Sequence, residues 1–253
     1  MGDLTGKVAL ITGAGQGVGQ GIALALARAG ADVSVCGRTE AKLDATCAAI
    51  AARGGRALAL TGNVKQAEDL AAAVSATQER FGGIDILVNN AQEVPLGRLL
   101  DVSDEAFIAG FESGPLATLR LMRLVQPIMA ARGGGTIINL ASSAGERWDM
   151  AGYGAYGAVK QAIRTLTRAA AAEWGRDGIR VLAIAPHAES PGLKRWIDSN
   201  PEEAEEFFRT IPLGRVGRLE EDIGRAVVSL CGPEMGYLTG ATIPLDGGQA
   251  KFG

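Results

Sequence analysis

The stretch "KVALITGAGQGVGQGIALALARAG", residues 7–30, decides the fold. It begins with an apolar run at 7–12, continues with glycines at 13, 15, 17 and 19, and ends in a segment of helical periodicity. This order predicts a strand, a tight turn and a helix. Glycines let the backbone approach a pyrophosphate, and a following helix offers free N–H groups. Because the strict G-x-G-x-x-G spacing is missing, a plain strand-to-helix turn explains the stretch equally well.

The same alternation of apolar strand and helix runs through the rest of the chain. Six further strands are predicted at 31–37, 56–62, 84–90, 135–142, 179–186 and 241–246. Helices are predicted at 21–30, 39–53, 66–81, 103–132, 155–175, 192–209 and 219–231. Right-handed crossovers place helices on both faces of such a sheet. We therefore predict an α/β fold, a single-domain, Rossmann-like, doubly wound parallel seven-stranded sheet spanning 1–253.

The overall composition argues against several classes of function. The 253 residues carry a net charge of −3 without a cluster of Lys and Arg, so no nucleic-acid partner is expected. No run approaches the roughly 18 apolar residues of a membrane span, so no membrane partner is expected either. Three cysteines without metal-type spacing predict no metal site and a reducing compartment. The expectation is a soluble, cytoplasmic protein.

The end of the second predicted strand bears on the choice of cofactor. It reads "CGRTEAKL" (36–43), so Gly37 is followed by Arg38. In dinucleotide sites, an acid at this point binds the ribose 2′-hydroxyl, whereas an arginine suits a 2′-phosphate. The missing acid and the arginine favour NADP(H) over NAD(H). A solvated arginine that caps the turn is the other interpretation.

The stretch "YGAYGAVK" (153–160) combines two tyrosines with one lysine. On a helix, residues four apart share a face, so Tyr156 and Lys160 are neighbours, while Tyr153 stands about 60° away. A cation beside a tyrosine stabilises the phenolate and lowers the pKa of the phenol toward working pH. Tyr156 is therefore a candidate proton donor. An ordinary amphipathic helix face explains this pair, taken alone, at least as well.

Four motifs, in this order, resemble the short-chain dehydrogenase/reductase family over essentially the whole chain, and in particular its 3-oxoacyl-[acyl-carrier-protein] reductase-like members. They are T-G-x-x-x-G-x-G at 12–19, N-N-A-G as "NNAQ" at 89–92, a serine in "INLASSAG" at 138–145, and Y-x-x-x-K at 156–160. The resemblance implies an enzyme that interconverts a ketone and a secondary alcohol by hydride transfer. Its implied catalytic residues are Ser142, Tyr156 and Lys160, with Tyr156 as acid or base.

The same resemblance implies where the cofactor and the substrate bind. The implied cofactor-binding residues are Gly13, Gln16, Gly17, Val18, Gly19, Arg38, Asn63, Val64, Asn90, Ala91, Tyr156, Lys160, Pro186 and Ser190. The implied substrate-binding residues are Gln92, Ser143, Trp148, Tyr153, His187 and Trp196. Residues 187–212 correspond to a variable substrate lid, and the aromatic side chains indicate a hydrophobic or bulky carbonyl or alcohol substrate. Family members form homotetramers or homodimers through the long helices, here 103–132 and 155–175.

Four positions depart from the family pattern. Gly114 stands near the family's active-site asparagine, Gln92 and His187 replace glycines, and Asn63 replaces an aspartate that binds the adenine amino group. An Asn carbonyl is still able to accept that hydrogen bond. These departures leave a second hypothesis open, a catalytically weakened member that binds dinucleotide as a sensor or acts as a partner subunit. An NAD-linked dehydrogenase is a third.

Overall fold

The computed structural model describes residues 3–146 and 151–250. Seven strands form one sheet: β1 (Val8–Thr12), β2 (Asp32–Gly37), β3 (Ala57–Thr61), β4 (Ile86–Asn89), β5 (Gly135–Leu140), β6 (Ile179–Pro186) and β7 (Thr242–Leu245). Their order is β3-β2-β1-β4-β5-β6-β7, and each neighbouring pair is parallel. The predicted doubly wound parallel sheet is confirmed.

Helices connect the strands and cover both faces of the sheet. They are α1 (Gly17–Arg28), α2 (Glu40–Ala51), α3 (Ala67–Phe81), α4 (Asp104–Phe111), α5 (Ala117–Ala131), α6 (Gly154–Trp174), α7 (Pro191–Ser199), α8 (Pro201–Arg209) and α9 (Arg225–Cys231). One core layer packs α1, α2 and α9 against the sheet, and the other packs α3, α5 and α6. With helices on both faces, β1 and β4 are buried along their whole length.

Four helices differ from the sequence prediction, and in the one predicted at 219–231 a π-helical segment, Leu219–Gly224, precedes α9. Helix α1 begins at Gly17 rather than at residue 21, because its first turn is built from the glycine stretch that lacks an apolar period. The predicted helix 103–132 contains a π-helical segment, Glu112–Leu116, around Pro115, which lacks the N–H that a regular helix needs. The predicted helix 192–209 is two helices, because Asn200 and Pro201 begin a new one.

The strand order places the functional edge of the sheet. The chain winds outward from β1 to β3 on one side and from β4 to β7 on the other, so the order reverses between β1 and β4. Ligands of such sheets bind beyond the carboxyl ends of the strands at this switch point. Among the described residues, no helix has the length and apolar character needed to cross a bilayer. Nor does that part of the chain contain a group of His, Cys, Asp and Glu arranged to hold a metal ion.

Candidate active site

The glycine turn after β1 is packed so closely that two of its glycine positions, Gly13 and Gly19, have no room for a side chain. Gly13 and Gly17 have φ values of 67° and 62°, a region that favours glycine. A Cβ on Gly13 would lie 2.5 Å from Asn90 Nδ2. A Cβ on Gly19 would lie 2.5 Å from the same nitrogen and 2.6 Å from the Gly13 carbonyl oxygen. Gly19 therefore packs beneath the turn, where the backbone has to approach closely.

Asn90 and Thr12 fix this turn against the end of β4. Asn90 Nδ2 donates to the carbonyl oxygens of Thr12 at 2.9 Å and Gly13 at 3.1 Å. The backbone N–H groups of Asn90 and Ala91 both donate to Thr12 Oγ1, each at 3.0 Å. These four hydrogen bonds join the two strands at the switch point. The "NNAQ" segment thus sets the shape of the glycine turn.

A groove of about 550 Å³, here called the glycine groove, opens beyond this turn. Most of the residues implied for the cofactor line it: Gly13, Gln16, Gly17, Val18, Arg38, Asn63, Val64, Asn90, Ala91 and Ser190. Gln92, expected at the substrate, lines it as well. Gly19, Pro186, Tyr156 and Lys160 are not among its lining residues. The sequence reasoning missed other lining residues, among them Thr39, Lys42, Leu43, Glu93, Ser113 and Arg195.

The glycine groove has the donors and charges that a phosphate-bearing dinucleotide requires. The N-cap of α1, Gln16, makes no side-chain capping hydrogen bond within the described structure, so the first-turn N–H groups remain for a ligand. Arg38, Lys42 and Arg195 add positive charge along the groove walls. Lys42 Nζ donates to Gln16 Oε1 at 2.7 Å, which holds this cation beside the turn. The residues present therefore fit NAD(P).

Arg38 also forms part of a cluster of charges at the adenine end expected for the groove. Its Nη1 lies 3.3 Å from Glu93 Oε1, and Lys65 Nζ lies 3.2 Å from the same oxygen. Nearby, the Asn63 side-chain oxygen accepts the Lys65 backbone N–H at 3.2 Å, and the Asn63 N–H donates to Asp69 at 2.8 Å. The Asn63 carbonyl, expected to accept from adenine, therefore already caps its own turn with one lone pair.

The three residues implied for catalysis lie at the same edge of the sheet. Ser142 follows β5, while Tyr156 and Lys160 lie in the first two turns of α6. A hydrogen bond joins the Ser142 and Tyr156 side chains, and Ser142 Oγ accepts the Ala144 N–H at 3.1 Å. Lys160 Nζ lies 5.5 Å from the centroid of the Tyr156 ring and donates to the Leu140 carbonyl oxygen at 2.6 Å. The structure thus brings the three side chains together.

The expected lowering of the Tyr156 pKa is not what the structure gives. Burial raises the pKa of this phenol, the Ser142 hydrogen bond partly opposes that effect, and Tyr153 adds to it. Lys160 is only 4% exposed, and burial lowers the pKa of its ammonium to about 7. An amine with a pKa near 7 is neutral in the pH range where a phenol titrates, so Lys160 does not offset the effect of burial on the tyrosine. Tyr156 is therefore protonated at neutral pH.

The departures Gln92 and Gly114 prove to be neighbours. A Cβ on Gly114, within the π-helical segment, would lie 3.3 Å from the Gln92 side-chain amide and 2.9 Å from Val159. The Gln92 side chain therefore occupies the space beside this glycine. Within the described residues, both polar atoms of its amide are buried without a hydrogen-bond partner. Such atoms require a water or a ligand, which agrees with a place at the substrate.

The other residues expected at the substrate lie in different surroundings. Ser143 is buried and begins a short 3-10 turn, and Tyr153 is 43% exposed at the start of α6. Trp196 and His187 do not line the glycine groove. Both rings contact Phe207 edge-on, with centroid distances of 5.7 Å for Trp196 and 5.3 Å for His187. This packing joins α7 to α8 and both to the loop after β6. Trp148 lies outside the described residues.

The fold and the site together define a class, the dinucleotide-dependent α/β oxidoreductases. Comparison with known proteins narrows it. The family model described as enoyl-(acyl carrier protein) reductase matches residues 13–250. The 12alpha-hydroxysteroid dehydrogenase of a Clostridium species is 39% identical over 259 residues, covering 99% of each chain. The chain belongs to the short-chain dehydrogenase/reductase family and is an NAD(P)-dependent oxidoreductase.

Two solved structures share the fold along nearly the whole chain. A 7 alpha-hydroxysteroid dehydrogenase complexed with NADH and 7-oxo glycochenodeoxycholic acid is 32% identical, has a TM-score of 0.92 and covers 99% of this chain and 96% of its own. A variant of actinorhodin polyketide ketoreductase with NADPH is 30% identical, has a TM-score of 0.91 and covers 97% of this chain and 98% of its own. One of these relatives was solved with NADH and the other with NADPH.

Proposed function

We propose that this protein is an NADP(H)-preferring enzyme that interconverts a ketone and a secondary alcohol on a hydrophobic or bulky substrate. One observation carries the proposal. The hydrogen bond between Ser142 and Tyr156, with Lys160 Nζ facing the tyrosine ring, lies at the same edge of the sheet as the glycine groove. This arrangement supports a proton donor at the edge where we propose that the cofactor binds.

The roles of the three side chains follow from their protonation and contacts. In the reductive direction, Tyr156 gives its phenolic proton to the carbonyl oxygen, and burial keeps that proton on the phenol beforehand. Ser142, hydrogen-bonded to the phenol, stabilises the charge that develops on the same substrate oxygen. Lys160 in its ammonium form stabilises the phenolate that remains. The bound dinucleotide supplies the hydride or accepts it. Alcohol oxidation runs the same proton transfer in reverse.

The substrate class is proposed from the relatives and from the lid. The relatives of this chain include dehydrogenases named for hydroxysteroids and a reductase named for polyketides. We assign residues 187–212 as the lid, in which the aromatic rings of Trp196 and Phe207 pack against each other. Aromatic walls favour apolar, ring-containing substrates over small hydroxy acids. Gln92, with its buried amide, is proposed to read a polar group of that substrate.

The direct experiment is a carbonyl panel assayed by NADPH oxidation. The panel contains steroid ketones, other cyclic ketones, 3-oxoacyl thioesters and small oxo acids. We expect turnover on one or more of the hydrophobic ketones or the thioesters and none on the small oxo acids. Tight NADPH binding without turnover of any carbonyl, or of the matching alcohols with NADP, would favour the sensor or partner-subunit hypothesis instead.

Replacing Arg38 by alanine tests the cofactor preference. The Arg38 guanidinium is proposed to bind the 2′-phosphate by charge-assisted hydrogen bonds. Its loss is expected to raise the Kd for NADPH by about 10- to 100-fold and to change the Kd for NADH by less than about threefold. The measurement is a fluorescence titration of both cofactors. Arg80→Ala, an exposed arginine on α3 remote from the groove, is the control. Equal losses for both cofactors would contradict the preference.

Assembly and location belong to the same proposal. An apolar face formed by α4, α5 and α6 exposes Ile108 and Leu116 beside Phe111 and Leu166. We propose that a second copy covers this face and that the enzyme is a homotetramer or homodimer built through these helices. The cytoplasm is the proposed location, because the three cysteines are free thiols, which suits a reducing compartment.

A further inference from the structure

Glu93 spans the glycine groove toward Arg38. Arg38 follows β2 and Glu93 lies four residues after β4, and β1 lies between these two strands. Two strand spacings amount to about 10 Å, yet the side-chain nitrogen and oxygen are 3.3 Å apart. The ion pair therefore crosses the carboxyl end of β1, where the glycine turn begins. Both residues line the glycine groove.

The position of Glu93 is fixed by its backbone. The Glu93 N–H donates to Ser113 Oγ at 3.0 Å, and Ser113 is only 2% exposed. Ser113 Oγ in turn donates to the Ala109 carbonyl oxygen at 2.7 Å, which ties it to the end of α4. The hydrogen bond to Ser113 thus fixes the backbone of Glu93, and its carboxylate contacts two cations. The second of these is Lys65, 3.2 Å away after β3.

We propose that Glu93 is a specificity-determining residue that opposes binding of the 2′-phosphate of NADP(H). Its carboxylate already pairs with Arg38. The 2′-phosphate would have to bind Arg38 at the same place, so the two negative charges would lie close together. A phosphate must therefore separate the pair and then stay close to Glu93. A ribose 2′-hydroxyl carries no charge and meets no such repulsion, and it is able to donate a hydrogen bond to a carboxylate.

This inference rests on the proposed function, because it assumes that Arg38 is the 2′-phosphate ligand. It goes further in assigning an opposing charge to the other wall of the groove. The wild-type preference for NADPH is then the balance of Arg38 and Lys65 against Glu93. Because the ion pair is partly exposed, with 68% of the Arg38 side chain and 34% of the Glu93 side chain accessible, its strength is moderate and sensitive to salt.

The test uses Glu93→Gln in the full chain, since glutamine keeps the size and removes the charge. NADPH, NADH, adenosine 2′,5′-bisphosphate and AMP are titrated against the wild type, Glu93→Gln, Arg38→Ala and the double variant. Glu93→Gln is expected to bind NADPH and the bisphosphate about tenfold more tightly, with NADH and AMP within about threefold. The gain should be smaller in the Arg38→Ala background, where only the direct repulsion by Glu93 is relieved. Glu68→Gln, an exposed acid at the same edge of the sheet, controls for the change in net charge.

The possible outcomes separate this inference from the function beneath it. An equal gain for both dinucleotides would mean that Glu93 only obstructs the groove, and no gain for either would remove its role; both results overturn the inference. If the wild type prefers NADH and Glu93→Gln reverses that preference, the proposed NADP(H) preference fails while the inference stands. If neither dinucleotide binds the wild type or any of the three variants, both the inference and the proposed function are overturned.

Discussion

Replacing Tyr156 by phenylalanine is expected to lower kcat by at least about a thousandfold and to leave the Kd for NADPH within about threefold. The phenol is the proposed proton donor, and phenylalanine keeps the ring against Lys160 while removing the hydroxyl that Ser142 binds. Among the described residues, no other side chain is hydrogen-bonded to Ser142, so none is placed to replace the phenol as proton donor. The measurement is steady-state kinetics on a ketone from the panel, together with a direct cofactor titration.

Tyr153 provides a matched control for this result. It lies in the same glycine-rich stretch, one helical turn earlier and 43% exposed, so Tyr153→Phe removes the same hydroxyl from a different position. We expect Tyr153→Phe to keep kcat within about tenfold of the wild-type value. If the ring contacts substrate, the larger change should be in KM. If Tyr156→Phe kept wild-type turnover, or if Tyr153→Phe were the inactive variant, the proposed proton donor would be wrong.

The sequence predicted the sheet well because parallel strands buried on both faces leave a strong signal. Strand β6 was predicted at 179–186 and is found as Ile179–Pro186, and the other six strands differ by at most two residues at either end. The start of α1 was harder to predict, because Gly17 and Gly19 lie in the helix yet have no apolar period. The π-helical segment around Pro115 interrupts the helix predicted at 103–132, since its hydrogen-bond pattern depends on the packing around it.

The residues of the candidate site also differ in how well the sequence predicted them. Helical spacing alone predicted that Tyr156 and Lys160 are neighbours, whereas their catalytic roles came only from the family resemblance. Glu93 was missed because a surface charge has no periodic signature, and its partner Arg38 is 55 residues away in the chain. Lys42 had a usable signal, since it lies in the first turn of α2, just after Arg38. The direction of the Tyr156 pKa shift depends on burial, which only the folded chain sets.

Replacing Lys160 by methionine is expected to abolish activity and, near neutral pH, to stabilise the free protein. Burial lowers the lysine pKa from its ordinary 10.5 to about 7 in the folded chain. Below pH 7 both states bind the proton, so the cost of burying the charge is fully present. Between about pH 7 and 10.5 the unfolded chain binds more protons, so the wild type gains stability as pH rises. Methionine fills the site without that charge.

The difference in Tm between Lys160→Met and wild type should therefore change sign with pH. Near pH 6 the variant is expected to melt several degrees higher, since about 1 kcal/mol moves Tm by roughly 2–4 °C in a chain of this size. Near pH 10.5 it should melt lower, because the neutral amine still donates to the Leu140 carbonyl oxygen and methionine leaves that acceptor unpaired. Lys7→Met, an exposed lysine beside Asp85 just before β1, should show no such crossing. A Tm difference for Lys160→Met that stays constant from pH 6 to 10.5 would mean that the buried amine keeps its ordinary pKa, and that the fold does not penalise its charge.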